Sequence, residues 1–340
     1  MRRAIPLLLL IASLLLIVSG GATTAYALRT RTVQLRGYAD PASTADLPLR
    51  LPLAGVNVEL TQYDDAHLDA TLNAIAAANF TWVRQEFLWA NIEATQGSPD
   101  FSRYDRIVKA VKAHSTLKLV AVLGTTPTWA RNSRSADRLW SPPNSPAAFG
   151  AFAGQFAARY GDTIDYYQVW DEPNLTTNWG ELNVQPADYV AMLSAAYKAI
   201  HAADPTASVI AAALAPTVET GPQNLRDADY LNAMYADGAA GVFDAAAGKP
   251  YGFDTSPDDR TVSPDVLNFS HIILMREVMQ RNGDGAKALW GSNFGWNHLP
   301  DGWRGTPSVW GQVDAATQIA YIQRAYQRAA DEWPWMGGLI

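Results

Sequence analysis

From residue 53 onward, short runs of Val, Ile, Leu and Ala alternate with longer stretches whose apolar residues recur at helical spacing. The strand-like runs are 53–58, 81–84, 117–123, 164–170, 208–213, 242–246, 286–290 and 336–340. Helical periodicity covers 66–78, 104–114, 146–160, 186–202, 227–236, 264–281 and 314–332, and several of these stretches open with proline in the first turn. Strand and helix alternating at intervals of about 40 residues predict right-handed crossovers and a parallel sheet, and eight such strands close into a (β/α)8 TIM barrel. A doubly wound open sheet is the competing architecture, but no glycine-rich dinucleotide turn follows the first strand. Acids and aromatics recur instead at the C-terminal ends of strands, the rim on which barrels build their sites. The sequence stops at Ile340, inside the eighth strand. A barrel lacking its final helix is therefore expected, with the apolar faces of the first and seventh helices partly uncovered.

The first residues break this rhythm. Arg2 and Arg3 precede an apolar run from Ile5 to Val18, and small residues follow, ending in Ala25-Tyr26-Ala27. That is the layout of an export signal over 1–27. Extended through Gly20 to Ala27, the run approaches the length of a membrane anchor, which is the rival reading. Either one puts the rest of the chain outside the cytoplasm, secreted or attached to the membrane. Residues 28–52 are polar, carry Pro and Ala, and predict a linker to a barrel domain over 53–340.

Composition narrows the partner. A formal charge of -7 supplies no positive field for nucleic acid. The chain has no Cys, and its five His show no ligand spacing, so neither a metal nor a cofactor is expected. Asp254, Asp258 and Asp259 lack the spacing and glycine of a calcium loop and read as a solvated turn. Twelve Trp and fourteen Tyr offer flat faces with polar edges, which suit neutral sugar rings as well as cores.

The stretch YYQVWDEPNL, residues 166–175, ends an apolar run in two adjacent carboxylates, Asp171 and Glu172, followed at once by proline. Such a pair alone is ordinarily a turn or helix-cap feature. In context, WDEPN resembles the Trp-Asn-Glu-Pro-Asn motif at the end of the fourth strand in clan A glycoside hydrolases, particularly family 39 and the related family 5. That resemblance assigns general acid and base chemistry to Glu172. It extends along the chain from residue 53 to its end. TWVRQEFLWANIEATQGSPDFSRYD, 81–105, is similar to the second-strand region of these enzymes, where Arg84 takes the place of an arginine that supports the catalytic carboxylates. VLGTTPTWA, 122–130, resembles their third-strand loop, and KPYGF, 249–253, their sixth-strand loop. Tyr251 is then the tyrosine that hydrogen-bonds the nucleophile, while Lys249 stands where a histidine is usual.

Glycosidases need two carboxyl groups, about 5 Å apart for retention or about 6.5 to 9.5 Å for inversion. The resemblance places the second at the end of the seventh strand, in a segment that family members write Thr-Glu-Phe-Gly-Trp. This chain has Ser292-Asn293-Phe294-Gly295-Trp296, so the nucleophile position holds Asn293, an amide that cannot attack carbon as a carboxylate does. Asp171 likewise replaces an asparagine that donates to the sugar 2-hydroxyl. Glu172 is expected to hold its proton to higher pH through the neighbouring acid and partial desolvation. Three readings follow: a glycosidase recruiting another acid (Asp171, Glu86, Glu59 or Asp301) or a substrate acetamido group, a carbohydrate-binding protein that has lost hydrolysis, and a scaffold without a sugar site. Trp129 and Trp296 are the aromatics expected to stack on sugar.

Overall fold

In the computed structural model of the chain, residues 4–39 and 54–340 are described, with side chains from residue 13 onward. They divide into two units, one ending at Tyr38 and the other beginning at Ala39. The first is a single helix, α1 (Ala4–Leu35). It runs unbroken through Ala25-Tyr26-Ala27 and stops where Gly37 adopts a φ of 76°, a left-handed ending that glycine accepts without strain. The linker predicted from residue 28 therefore begins as helix, because 28–35 contain neither glycine nor proline to break it. Arg2 and Arg3, residues 40–52 of that linker and residue 53 of the first predicted strand lie outside the described residues. Among the described residues no helix is long and apolar enough to cross a membrane.

The second unit is the predicted barrel. Strands β1 (Gly55–Asn57), β2 (Trp82–Leu88), β3 (Lys118–Gly124), β4 (Tyr166–Asp171), β5 (Ser208–Leu214), β6 (Ala245–Gly248), β7 (Ala288–Gly291) and β8 (Met336–Leu339) pair in chain order, all parallel. A parallel bridge between Ala54 and Leu339 joins the last strand to the first. The intervening helices are α2 (Asp65–Ala77), the single turn α3 (Trp89–Ile92), α4 (Ser102–Ala113), α5 (Pro146–Tyr160), α6 (Pro186–Ala203), α7 (Asp227–Ala236), α8 (Ile273–Arg281) and α9 (Ala315–Glu332). Asp64, Ser145 and Asp314 cap α2, α5 and α9 by accepting backbone N–H groups of the first turn. The helix predicted over 264–281 starts later, as a 3-10 turn at Phe269 that becomes α8 at Ile273. Asn268 explains the delay: its side-chain amide donates to Asp259 and to the Thr261 carbonyl, which ties the preceding residues into a loop. On the outside, α2 borders an open, largely apolar groove of about 460 Å³, and Ile319 on α9 is 58% exposed.

The two-residue period of β2 turns Val83 and Phe87 toward the helices and Trp82, Arg84 and Glu86 toward the barrel interior. Near its N-terminal end the interior is plugged by Trp82, Tyr166 and Trp290, whose ring centroids lie 4.9 to 5.7 Å apart. Space for these rings comes from glycines on β1 and β8. A Cβ on Gly55 would fall 2.7 Å from that of Trp82, and one on Gly338 would fall 2.8 Å from the Trp290 ring. One level higher the interior turns polar, with Asn57, Arg84, Gln168 and Ser292.

Candidate active site

The tip of β4 is bent by two non-glycine residues at positive φ, Trp170 at 71° and Glu172 at 51°. L-residues rarely occupy this region, and such strain persists only where the surroundings enforce it. The bend breaks the strand's alternation. Trp170 turns outward against Phe149 and Trp140 and gives its indole N–H to the Asn178 carbonyl. Asp171 turns inward, and the Glu172 backbone stays tied to the Ala213 carbonyl. Asn174 is fully buried and fastens the loop, donating to the carbonyls of Ala215 and Leu225 and accepting from the Ala215 N–H.

A chain of charge-assisted contacts crosses the barrel mouth. Arg84 donates to Asn57 at 2.9 Å, to Gln168 at 3.1 Å and to Asp171 at 2.8 Å. Lys249, just past β6, donates to Asp171 and to Glu172, each at 2.7 Å. Burial alone would lower the Lys249 ammonium, but the charges of Asp171 and Glu172 outweigh it and raise it above the ordinary lysine value. Burial alone would likewise raise Asp171, and Lys249 and Arg84 more than reverse it, leaving the carboxyl below its usual range. The charge of the acid beside Glu172 is thus matched by two cations. Lysine at 249, read from sequence only as a departure from histidine, is the group that organises this cluster.

Two cavities open beside it. The first, of about 270 Å³, is lined by Asn57, Val58, Glu59, Arg84, Glu86 and Asn293. Arg84 and Asn293 thus line the same cavity; Asn293 stands two residues past β7, and its Oδ1 is buried without a hydrogen-bond partner among the described residues. Glu86 is the notable carboxyl here. Burial, and next the charge of Asp171, raise it above the ordinary carboxyl value, against the opposing pull of Arg84 and Lys249. The second cavity, of about 300 Å³, is lined by Tyr251, Phe294, Gly295, Trp296, Asn297 and Trp310. There the backbones of Tyr251 and Gly295 form a parallel bridge that extends the β6–β7 pairing beyond the strand ends. Burial raises the Tyr251 phenol above its ordinary value.

The aromatics expected to stack on sugar are largely engaged in packing. Trp129 meets Trp89 edge to face at 5.4 Å and donates to the Glu93 carbonyl. Trp296 is 4% exposed, donates to the Thr255 carbonyl and packs against Phe269 and Tyr321, though it still borders the second cavity. The open ring beside it is Trp310, 54% exposed, which no motif had singled out. Of the acidic cluster, Asp258 pairs with Arg324, and Asp259 accepts from Thr261 and Asn268. Among the described residues no group of three His, Asp or Glu is arranged to hold a metal.

The fold is similar to those of solved glycoside hydrolases. A family 39 glycoside hydrolase from the gut symbiont Bacteroides cellulosilyticus WH2 superposes with a TM-score of 0.60 at 19% identity, covering 86% of this chain and 56% of that one. A glucosidase from Croceicoccus marinus gives 0.61 at 15% identity, covering 86% and 59%. A family 39 beta-xylosidase from Caulobacter crescentus gives 0.57 at 18% identity, covering 89% and 64%. The chain thus spans less than two thirds of the length of these proteins, and at these identities the shared property is the barrel fold. No protein-family model matches the sequence, and no curated protein sequence does so either.

Proposed function

We propose that the barrel is a glycoside hydrolase acting on O-glycosyl bonds of an oligo- or polysaccharide, with its chemistry at the rim where β1, β2, β4, β6 and β7 end. The observation that carries this reading is the rim itself: Glu172 on a strained β4 tip, joined to Asp171 by Lys249, beside a cavity lined by two further carboxyls, Glu59 and Glu86. Structural scaffolding has no need of that arrangement, since buried charges are costly unless matched. Glu172 is the carboxyl we place at the reacting centre, and Asn293 occupies the position that its motif reserves for a nucleophile. Asp171, already held by Arg84 and Lys249, orients the cluster; Tyr251, Trp296 and the open ring of Trp310 shape the path of the sugar. The solved glycosidases that share the fold support the same reading.

The substrate is extracytoplasmic in this proposal. Support comes from the Arg2-Arg3 and apolar N-terminal pattern, and from Leu14, Leu15, Leu16, Ile17 and Val18 on α1, each at least 62% exposed, a row of bare apolar side chains that requires an apolar partner.

One observation favours a second reading, a carbohydrate-binding protein without turnover: Asn293 removes the usual nucleophile, and Lys249 ties up an oxygen of Glu172. Turnover of an aryl glycoside panel separates the two. Hydrolysis that Glu172→Gln abolishes supports the enzyme; sugar binding with no turnover by the parent protein selects the binding protein; turnover unaffected by Glu172→Gln sinks the assignment of Glu172.

A further inference from the structure

A glycosidase must hold one proton for the departing oxygen and one ionised carboxylate. Two carboxyls of this rim, Glu172 beside Lys249 and Glu86 in the first cavity, have surroundings that differ in kind. Glu172 accepts a 2.7 Å hydrogen bond on Oε1 from the charged, 5% exposed side chain of Lys249. An ammonium in that position stabilises an anion and competes with a proton for the oxygen. Glu86 lies on the wall of the first cavity with Asn293, and among the described residues no group hydrogen-bonds its carboxyl. The charges around Glu86 come from four elements. Asp171 on β4 and Glu59 beyond β1 disfavour its ionisation; Arg84 on β2 and Lys249 beyond β6 favour it, but both are engaged with Asp171.

We infer that the proton and the anion have changed places relative to what the β4 motif implies: Glu86 protonates the leaving oxygen, Glu172 is the base, and Lys249 is the positioning residue that keeps Glu172 an anion. This assignment rests on the hydrolase reading above and deepens it. In the step it describes, the Glu86 proton passes to the glycosidic oxygen as its bond to the anomeric carbon breaks. The oxygen of a water bonds to that carbon, and the water's proton goes to Glu172. The aglycone leaves as an alcohol and the sugar as a hemiacetal, and solvent then returns one proton to Glu86 and removes one from Glu172. Because water, and no carboxylate, bonds to the anomeric carbon in this step, the product has inverted configuration. The raised proton affinity of Glu86, from burial and then from Asp171, agrees with this geometry.

The test compares Glu86→Gln and Glu172→Gln on aryl glycosides with good (dinitrophenyl) and poor (methyl) leaving groups, with the product anomer read by NMR. Loss of a general acid is felt where the leaving group needs a proton. Glu86→Gln should therefore lose about 100- to 10,000-fold on the poor leaving group and under about tenfold on the good one. Glu172→Gln should lose heavily on both. Lys249→Met should move the acidic limb of the kcat/KM profile to higher pH, and Lys249→Arg should restore it, which a purely structural role would not produce. Leaving-group selectivity in Glu172→Gln instead, or retained configuration, overturns the exchange. If the parent protein hydrolyses nothing in the panel, the hydrolase reading fails, and the proton assignment is read separately by infrared spectroscopy. A protonated-carboxyl band that persists above the ordinary glutamate range, lost in Glu86→Gln and kept in Glu172→Gln, supports it; absence of that band, or its loss in Glu172→Gln, overturns it.

Discussion

Trp82 and Glu86 stand on the same strand and face the same barrel interior, four residues apart, yet they belong to different chemical worlds. At the level of Trp82 the interior is a dry plug: three aromatic rings, small alanines on β6 and β7, and glycines that admit the rings. At the level of Glu86 the same strands point Arg84, Asp171, Lys249 and Glu172 into one another. The lower half follows the rules of close packing and gains its energy from burial. The upper half violates them with buried charge and left-handed backbone, and natural proteins tolerate such violations where function demands them. The plug is the rigid base on which the strained rim is held.

The comparison breaks most severely from below. Trp82→Ala removes the centre of the plug, and large-to-small changes of a buried tryptophan cost about 3–5 kcal/mol. The denaturation midpoint should fall accordingly, and any sugar binding at the rim should weaken with it because the rim has no independent support. A variant that loses the stability and keeps full binding would show that the two halves are less dependent than their shared strands imply.

The next effect comes from above. Among the described residues, Lys249→Met leaves Asp171 with Arg84 alone and Glu172 with no cation within salt-bridge distance. Removing one partner of a buried ion network costs about 3 kcal/mol. Lys249→Met combined with Glu172→Gln should recover part of that loss, as coupled neighbours do, in a denaturant double-mutant cycle. Acid titration adds a sign. The folded value of Asp171 lies below its ordinary one, so the stability it contributes is present above the unfolded carboxyl value of about 3.9 and is lost as pH falls through the lower folded value. Without Lys249 this acid-side loss should shrink.

The plug and the rim also differ in how legible they were. Eight strands and most helices followed from periodicity, because 166–169 or 118–123 can satisfy their apolar residues only as buried strands. Glu172, Asn293 and Arg84 were located by motif, and the last two share a cavity. The pairing of Lys249 with both acids was not legible, since it is a contact between the tips of β4 and β6, 77 residues apart in the chain. Nor was the burial of Trp296, which depends on Phe269 and Tyr321 from distant elements, or the exposure of Trp310. A lysine at a strand end opposite an acid pair is the one local signal that would have pointed to the cluster.

A smaller effect sharpens the upper boundary. A Cβ added to Gly252 would lie 1.8 Å from the Trp296 indole, a ring wedged between Phe269 and Tyr321 and unable to step aside without repacking. Gly252→Ala should cost about 1–3 kcal/mol as an overpacking change. It should also alter the second cavity, so that sugar affinity falls while the plug's tryptophan fluorescence is unchanged.

The smallest change is the most informative, because it should stabilise. Glu86 is raised above the ordinary carboxyl value by burial and then by Asp171, so it binds its proton more tightly in the folded chain than in the unfolded one. Its favourable contribution is therefore fully present below the unfolded glutamate value of about 4.3 and is lost as pH rises through the raised folded value. Glutamine never ionises and never incurs that loss. Glu86→Gln should consequently gain stability relative to the parent protein as pH climbs toward 7, while the difference between them stays flat at and below about pH 4. Denaturation midpoints at closely spaced pH values would measure the gap. A gap that closes with rising pH would mean that Glu86 prefers to be charged in the fold.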